Sequence, residues 1–269
     1  VPITRILSDL HYGHPATAIG DLRQITPLLE GVERVVFNGD SVEMRFVREY
    51  EQGAADFARL QAFCAEAGTE GVFLTGNHDP ALTPLHHLDL HEGAVFVTHG
   101  DALFHGLSPW SREAEALKAA HSQCLADAGH PSALEPLLAA ARKAALAIET
   151  LGPFAHHHAH AKTFAGFIRQ IWPPWRPFKM IECWIQAPGW AAAFAEQHRP
   201  NAKCFLFGHT HRAGIWRRRG RTLINTGSFL PYSGMLLADL DGGELAVRKI
   251  ERRGRDFYPG AVVRGVKLD

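Results

Sequence analysis

Five short motifs in this chain carry side chains that can hold a cation, and each follows a short apolar run. Ser8-Asp9-Leu10-His11 follows residues 3–7, and Asn38-Gly39-Asp40, with Glu43 three residues on, follows 34–37. Gly76-Asn77-His78-Asp79 follows 72–75, His99-Gly100-Asp101 follows 94–98, and Gly208-His209-Thr210-His211 follows 204–207. Imidazole and carboxylate together suit manganese, iron or zinc, and the absence of cysteine from these motifs disfavours a structural zinc site. Asp9, His11, Asp40, Asn77, His99, His209 and His211 make seven candidate ligands. That is too many for one ion but suits two, about 3.5–4 Å apart and bridged by a carboxylate. In Asp-x-His and His-x-His, positions i and i+2 of an extended strand end face one side and can reach one region. Glycines beside them let the backbone turn sharply.

The elements that must position these residues follow from the pattern. The runs at 3–7, 34–37, 72–75 and 94–98 read as buried strands, and 17–30 and 51–67 as amphipathic helices between them. Strands alternating with helices predict βαβ units and an α/β fold. In open α/β sheets, ligands bind at the carboxyl ends of strands, where all five motifs fall. The last third (204–207, 214–217, 222–225, 235–240 and 245–250) reads as strands joined by short Gly-rich turns. Arg217–Arg221, rich in arginine, reads there as a solvated hairpin tip. The middle, 107–200, breaks the alternation with two Ala-rich helical stretches, 111–129 and 132–150, and is expected as a helical insertion between 1–106 and 201–269.

Composition bounds the function classes. The 28 basic and 28 acidic residues cancel, so nucleic-acid binding by bulk charge is not expected. Cys64, Cys124, Cys183 and Cys204 are scattered and form no Cys-x-x-Cys, which suits a reducing compartment. The start, VPITRILSDLH, runs straight into a strand-like segment and has no signal-peptide pattern. No apolar run reaches the roughly 18 residues of a membrane span. A cytoplasmic protein is expected.

DxH, GDxxE, GNHD, HGD and GHTH, in that order, resemble the calcineurin-like metallophosphoesterase superfamily over 1–106 and 201–269. The resemblance implies a four-layer α/β/β/α sandwich with two mixed sheets, and two divalent ions, manganese first with iron or zinc as alternatives. It implies that Asp9, His11 and His211 hold one metal, that Asn77, His99 and His209 hold the other, and that Asp40 bridges them. It also implies that His78 sits over the metals and stabilises charge or protonates the leaving oxygen. Asp79 is expected to orient His78 or to cap a turn, Asp101 to support His99, and Glu43 to brace its loop by accepting backbone or arginine hydrogen bonds.

The insertion followed by GHTHR resembles UDP-2,3-diacylglucosamine pyrophosphatases, which place a helical lid over the metals. This chain has GNHD where their pattern has GNRD, keeping the histidine of phosphodiesterases and phosphomonoesterases at large. Between 164 and 190, Phe164, Phe167, Trp172, Trp175, Phe178, Trp184 and Trp190 are interleaved with Arg169, Arg176 and Lys179. That mixture suits a lipid-phosphate pocket, peripheral contact with the inner membrane, or plain packing. The expected substrate is a small or lipid-linked phosphodiester or pyrophosphate. The histidine run at 154–162 reads as a bystander, since only His156 and His160 would share a helical face. A general phosphoesterase, a nuclease, a protein phosphatase and a non-catalytic scaffold on the same fold are the alternatives.

Overall fold

Period-two alternation decides which way each strand faces. Along 34–38, Val35 and Phe37 point into one core and Val36 into another; along 204–207, Cys204 and Leu206 share the second core while Phe205 and Phe207 enter a third. In the computed structural model, which describes residues 2–45, 47–149, 174–231 and 233–268, these cores separate four layers.

One sheet contains β1 (Thr4–Leu7), β2 (Arg34–Asn38), β3 (Glu70–Leu74), β9 (Leu236–Asp241), β10 (Glu244–Arg253) and β11 (Asp256–Lys267). Its order is β11-β10-β9-β1-β2-β3. The other contains β4 (His87–Leu90), β5 (Val95–Thr98), β6 (Cys204–Phe207), β7 (Gly214–Arg218) and β8 (Arg221–Asn225), in the order β4-β5-β6-β8-β7. Both are mixed: β1, β2 and β3 run parallel, as do β5, β6 and β8, with antiparallel strands at their flanks. The sheets pack face to face through Ile6, Val36, Leu74, Val97, Leu206 and Ile224. Each such side chain, fully buried, stabilises the fold by about 1.5–3 kcal/mol.

Helices α1 (Thr26–Leu29) and α2 (Val47–Glu66) cover the outer face of the first sheet, with Leu28, Leu60 and Cys64 against Phe37 and Phe73. The helix expected from residue 17 begins instead with a 3-10 turn at Leu22. Asp21 caps it, accepting the Arg23 amide while Gln24 reaches back to the Asp21 amide. Helices α3 (Ala114–Asp127), α4 (Leu134–Glu149) and α5 (Trp175–His198) lie between β5 and β6 in sequence. Leu134 and Leu138 of α4 and the small face of α5 (Cys183, Ala187, Ala191, Ala195) pack on Phe96, Phe205, Phe207 and Leu223. Much of the expected insertion is therefore the fourth layer of the sandwich. Among the described residues no helix is long and apolar enough to cross a membrane. The β7–β8 hairpin turns at Arg219 (φ 48°) and Gly220 (φ 77°), with Arg217, Arg218 and Arg219 exposed. Arg221, by contrast, is buried and donates to the Arg199 and Pro200 carbonyls.

Candidate dinuclear metal centre

The parallel strands of both sheets end at one place. Asp9 and His11 follow β1, Asp40 follows β2, Asn77 follows β3, His99 follows β5, and His209 and His211 follow β6. The structure brings all seven together in two clusters. In the first, His211 Nε2 lies 3.2 Å from both His11 Nε2 and Asp9 Oδ1, and Asp40 Oδ2 is 3.7 Å from His11 Nε2. In the second, His99 Nε2 lies 3.3 Å from both Asp40 Oδ2 and Asn77 Oδ1, with His209 within reach. Asp40 belongs to both clusters.

The DxH and HxH pairs do not meet as ends of extended strand. Asp9 (φ 53°), His11 (48°), Asp40 (50°), His209 (64°) and His211 (56°) all adopt left-handed backbone. Such a conformation costs on the order of 1 kcal/mol for a residue with a Cβ and persists where the surroundings impose it. Here those surroundings are hydrogen bonds between loops. The Asp9, His11 and Tyr12 amides donate to the Gly39, Asp40 and Ser41 carbonyls, and the Gly208 amide donates to the His99 carbonyl. Gly39 sits at φ 79° against the His99 ring, with no room for a side chain.

Backbone carbonyls set which imidazole nitrogen is free. His99 Nδ1 donates to the Asn38 carbonyl (3.0 Å), leaving Nε2 for a ligand, and His209 Nε2 donates to the Leu107 carbonyl (2.9 Å), leaving Nδ1. Phe104 and Trp110 pack against the His209 ring. Burial pushes His209 down to about 3, so its ring is neutral at any physiological pH. Burial opposes charge on Asp40 too, but the His99, His78 and His11 imidazoles override it and hold the carboxyl well below its usual range. His99 is the mirror case, held well above the usual imidazole range by Asp40 against the effect of burial. A cation entering beside Asp40 would displace that proton, so binding would weaken on acidification.

Asp40 Oδ1 accepts the His78 amide at 2.8 Å, but Oδ2, fully buried between the clusters, has no hydrogen-bond partner among the described residues. A buried carboxylate oxygen with ion-pair contacts to His99 and His11 but no hydrogen bond, facing two sets of imidazole and oxygen donors, is the arrangement two divalent ions would satisfy, and the donor set fits them.

His78 stands at the mouth, its side chain 20% exposed, with its ring edge-on to His11. Its orienting partner is Glu43, not Asp79: both Glu43 carboxylate oxygens accept from His78 Nδ1 at 3.0 Å. Burial disfavours the imidazolium, yet the Glu43 and Asp40 charges raise His78 above its ordinary value. Asp79 turns away and accepts the Gly76, Asp40 and Ser41 amides at 2.7, 3.1 and 2.6 Å. The expectation that Asp79 orients His78 is therefore corrected: it ties the β2 and β3 loops together. Burial and the Asp40 charge push it up to about 7. Glu43 also accepts its loop's Arg45 amide, as expected, but the GDxxE spacing was itself the signal for its larger role. Asp101 is buried beside His99 without bonding its ring, whose Nδ1 is taken by Asn38.

No family model matches this chain, and no curated protein matches it. Solved structures do. It is similar to a dimetal phosphatase from Danio rerio, at 12% identity over 100% of this chain and 99% of that one (TM-score 0.47). It is also similar to vacuolar protein sorting 29 from Cryptosporidium parvum, at 12% identity over 99% and 98% (TM-score 0.46). A predicted phosphoesterase from Streptococcus pneumoniae TIGR4 aligns at 14% identity over 99% and 97% (TM-score 0.40). What the site can do is decided by its own side chains.

Two contacts absent from the motifs complete the centre. Asn225, at the end of β8, and Trp184, on α5, both bond the His209–His211 loop. Neither has a local sequence signal, because each lies at least 15 residues from the group it holds. The histidine run at 154–162 and the aromatics Phe164, Phe167 and Trp172 lie outside the described residues.

Proposed function

We propose that this protein is a two-metal phosphoester hydrolase. The observation that carries this reading is Asp40 Oδ2, a buried carboxylate oxygen with no hydrogen bond among the described residues and shared by two clusters of candidate ligands. Asp9, His11 and His211 would hold one ion and Asn77, His99 and His209 the other, with Asp40 between them. Manganese is the first choice, iron or zinc the alternatives. When bound, such a pair lowers the pKa of a shared water and offsets charge on phosphate oxygens. The chain's own residues do the rest. Glu43 bonds His78 Nδ1 and favours its imidazolium form, which leaves Nε2 to bond a phosphate oxygen or pass a proton to the leaving oxygen. Asp9, His11 and His99 are buried, which keeps bulk water from those three side chains.

The finer reading is a small or lipid-linked phosphodiester or pyrophosphate, of the UDP-diacylglucosamine type. Its support is α5, where Trp175, Phe178, Ile181 and Ile185 are exposed along one flank. Arg176 on the same helix donates to the Trp110 carbonyl, and Arg212 lies over Trp184, so cations stand beside the helix on faces other than the apolar flank. The same flank supports peripheral contact with a membrane surface.

The test is a chelated, manganese-reloaded sample assayed on an aryl phosphodiester, an aryl phosphomonoester, a nucleotide-sugar diphosphate and its acylated form. Asp40→Asn should reduce turnover roughly 100-fold or more. Full activity in that variant, or no turnover of any ester with both ions bound, would overturn the proposal and favour a scaffold.

A further inference from the structure

The loop carrying His209 and His211 is gripped from two sides. From the core, Asn225 Nδ2 donates to the Gly208 carbonyl (2.7 Å) and to Thr210 Oγ1 (2.9 Å), while Asn225 Oδ1 accepts the Gly227 amide (2.9 Å). The His209 amide donates to the Asp9 carboxylate at 3.2 Å. From α5, Trp184 Nε1 donates to the Thr210 carbonyl at 2.8 Å, and the Arg212 guanidinium lies 5.6 Å from the centre of the Trp184 ring. The Thr210 carbonyl belongs to the peptide leading directly into His211.

His211 depends on that peptide more than its companions do on theirs. Its side chain is 29% exposed, against 0–1% for Asp9 and His11 in the same cluster, so fewer neighbours hold its ring. Its left-handed backbone (φ 56°) must be imposed from outside the residue. The core bonds restrain residues 208–210, and the Trp184 indole restrains the peptide beyond them.

We propose that Trp184 is a positioning residue for the metal centre: its indole N–H fixes the Thr210–His211 peptide and so aims the His211 imidazole. The helix that exposes an apolar flank thereby also sets how tightly one ion is held. This rests on the two-metal reading above.

Trp184→Phe keeps an aromatic ring for Arg212 and removes the N–H together with the rest of the five-membered part of the indole. Manganese binding by titration calorimetry and the thermal midpoint of the full chain, metal-free and manganese-bound, give two independent readouts. One of the two ions should bind roughly tenfold more weakly, with the metal-free midpoint unchanged. Trp175→Phe, an exposed tryptophan on the same helix, should alter neither readout. Wild-type affinity for both ions in Trp184→Phe overturns the inference alone. So does a metal-free midpoint that falls as far as the metal-bound one, since that marks a purely structural contact. A wild-type chain that binds neither manganese nor zinc overturns the two-metal reading, and this inference with it.

Discussion

Gly76→Ala should weaken the metal centre without altering any ligand. Gly76 precedes Asn77 and packs directly on Asp40. A Cβ there would lie 2.9 Å from Asp40 Cγ and closer still to Asp40 Oδ1 and its backbone nitrogen. These are not atoms that can swing away. Oδ1 is bonded to the His78 amide at 2.8 Å, the Asp40 amide to Asp79 at 3.1 Å, and the carboxylate is buried. The carboxylate must retreat by about 1 Å, and a misplacement of that size costs about 100-fold in rate, or about 2.7 kcal/mol of transition-state stabilisation. Overpacking should cost a further ~1–3 kcal/mol of stability in the metal-free protein. Because Asp40 Oδ2 faces both clusters, both ions should weaken together. Gly189→Ala on α5, where a Cβ meets no atom within 4 Å among the described residues, is the contrast. It should be neutral or stabilise by about 0.5–1 kcal/mol. The assay is metal content per chain after equilibration with manganese, with turnover and the metal-free thermal midpoint measured alongside. Two ions per chain and wild-type turnover in Gly76→Ala would refute the claim that Asp40 is both fixed and shared.

Three further outcomes follow from the geometry. Glu43→Gln removes the carboxylate from His78 Nδ1 and should lower turnover about 100-fold at unchanged metal content, read from turnover and metal analysis on one sample. Asp79→Ala leaves three buried amides without an acceptor and should destabilise the metal-free protein by about 3 kcal/mol in urea. A loss below about 1 kcal/mol there would mean the loops are tied by something else. Burial pushes His121 down to about 4, so the unfolded chain binds the extra proton first. Stability from His121 is complete above an ordinary imidazole pKa of about 6.5 and is lost as pH falls from there toward 4. Between pH 7 and 4.5 the metal-free wild type should lose about 2 kcal/mol more than His121→Gln, measured by urea unfolding at both pH values.

The central strands and the ligand positions were legible because both are local. A run such as Arg34–Phe37 followed by Asn-Gly-Asp declares a buried strand and its functional end within a few residues. The strands without such a signal, β4 and β11, are edge strands. His87–Leu90 is half-buried and Asp256–Lys267 largely exposed, so neither needs an unbroken apolar run. In β11, Pro259 and Gly260 obscure the pattern further; an edge strand tolerates them, with its partner β10 shifting register nearby. The start of the first helix at residue 22 was decided by the Asp21–Gln24 cap over the apolar periodicity from 17.

By itself, the sequence determined that seven candidate ligands end strands of an α/β core, because strand period and residue chemistry are properties of neighbours along the chain. Tertiary structure decided which carboxylate serves which histidine. Glu43 and His78 are 35 residues apart, and Asp79, adjacent to His78, faces the other way. It also decided that five of the seven candidate ligands sit in left-handed backbone held by other loops, and that an α5 tryptophan reaches the His211 peptide. These are facts of packing. A side chain's partner depends on how two layers meet, and no short stretch of sequence carries that information.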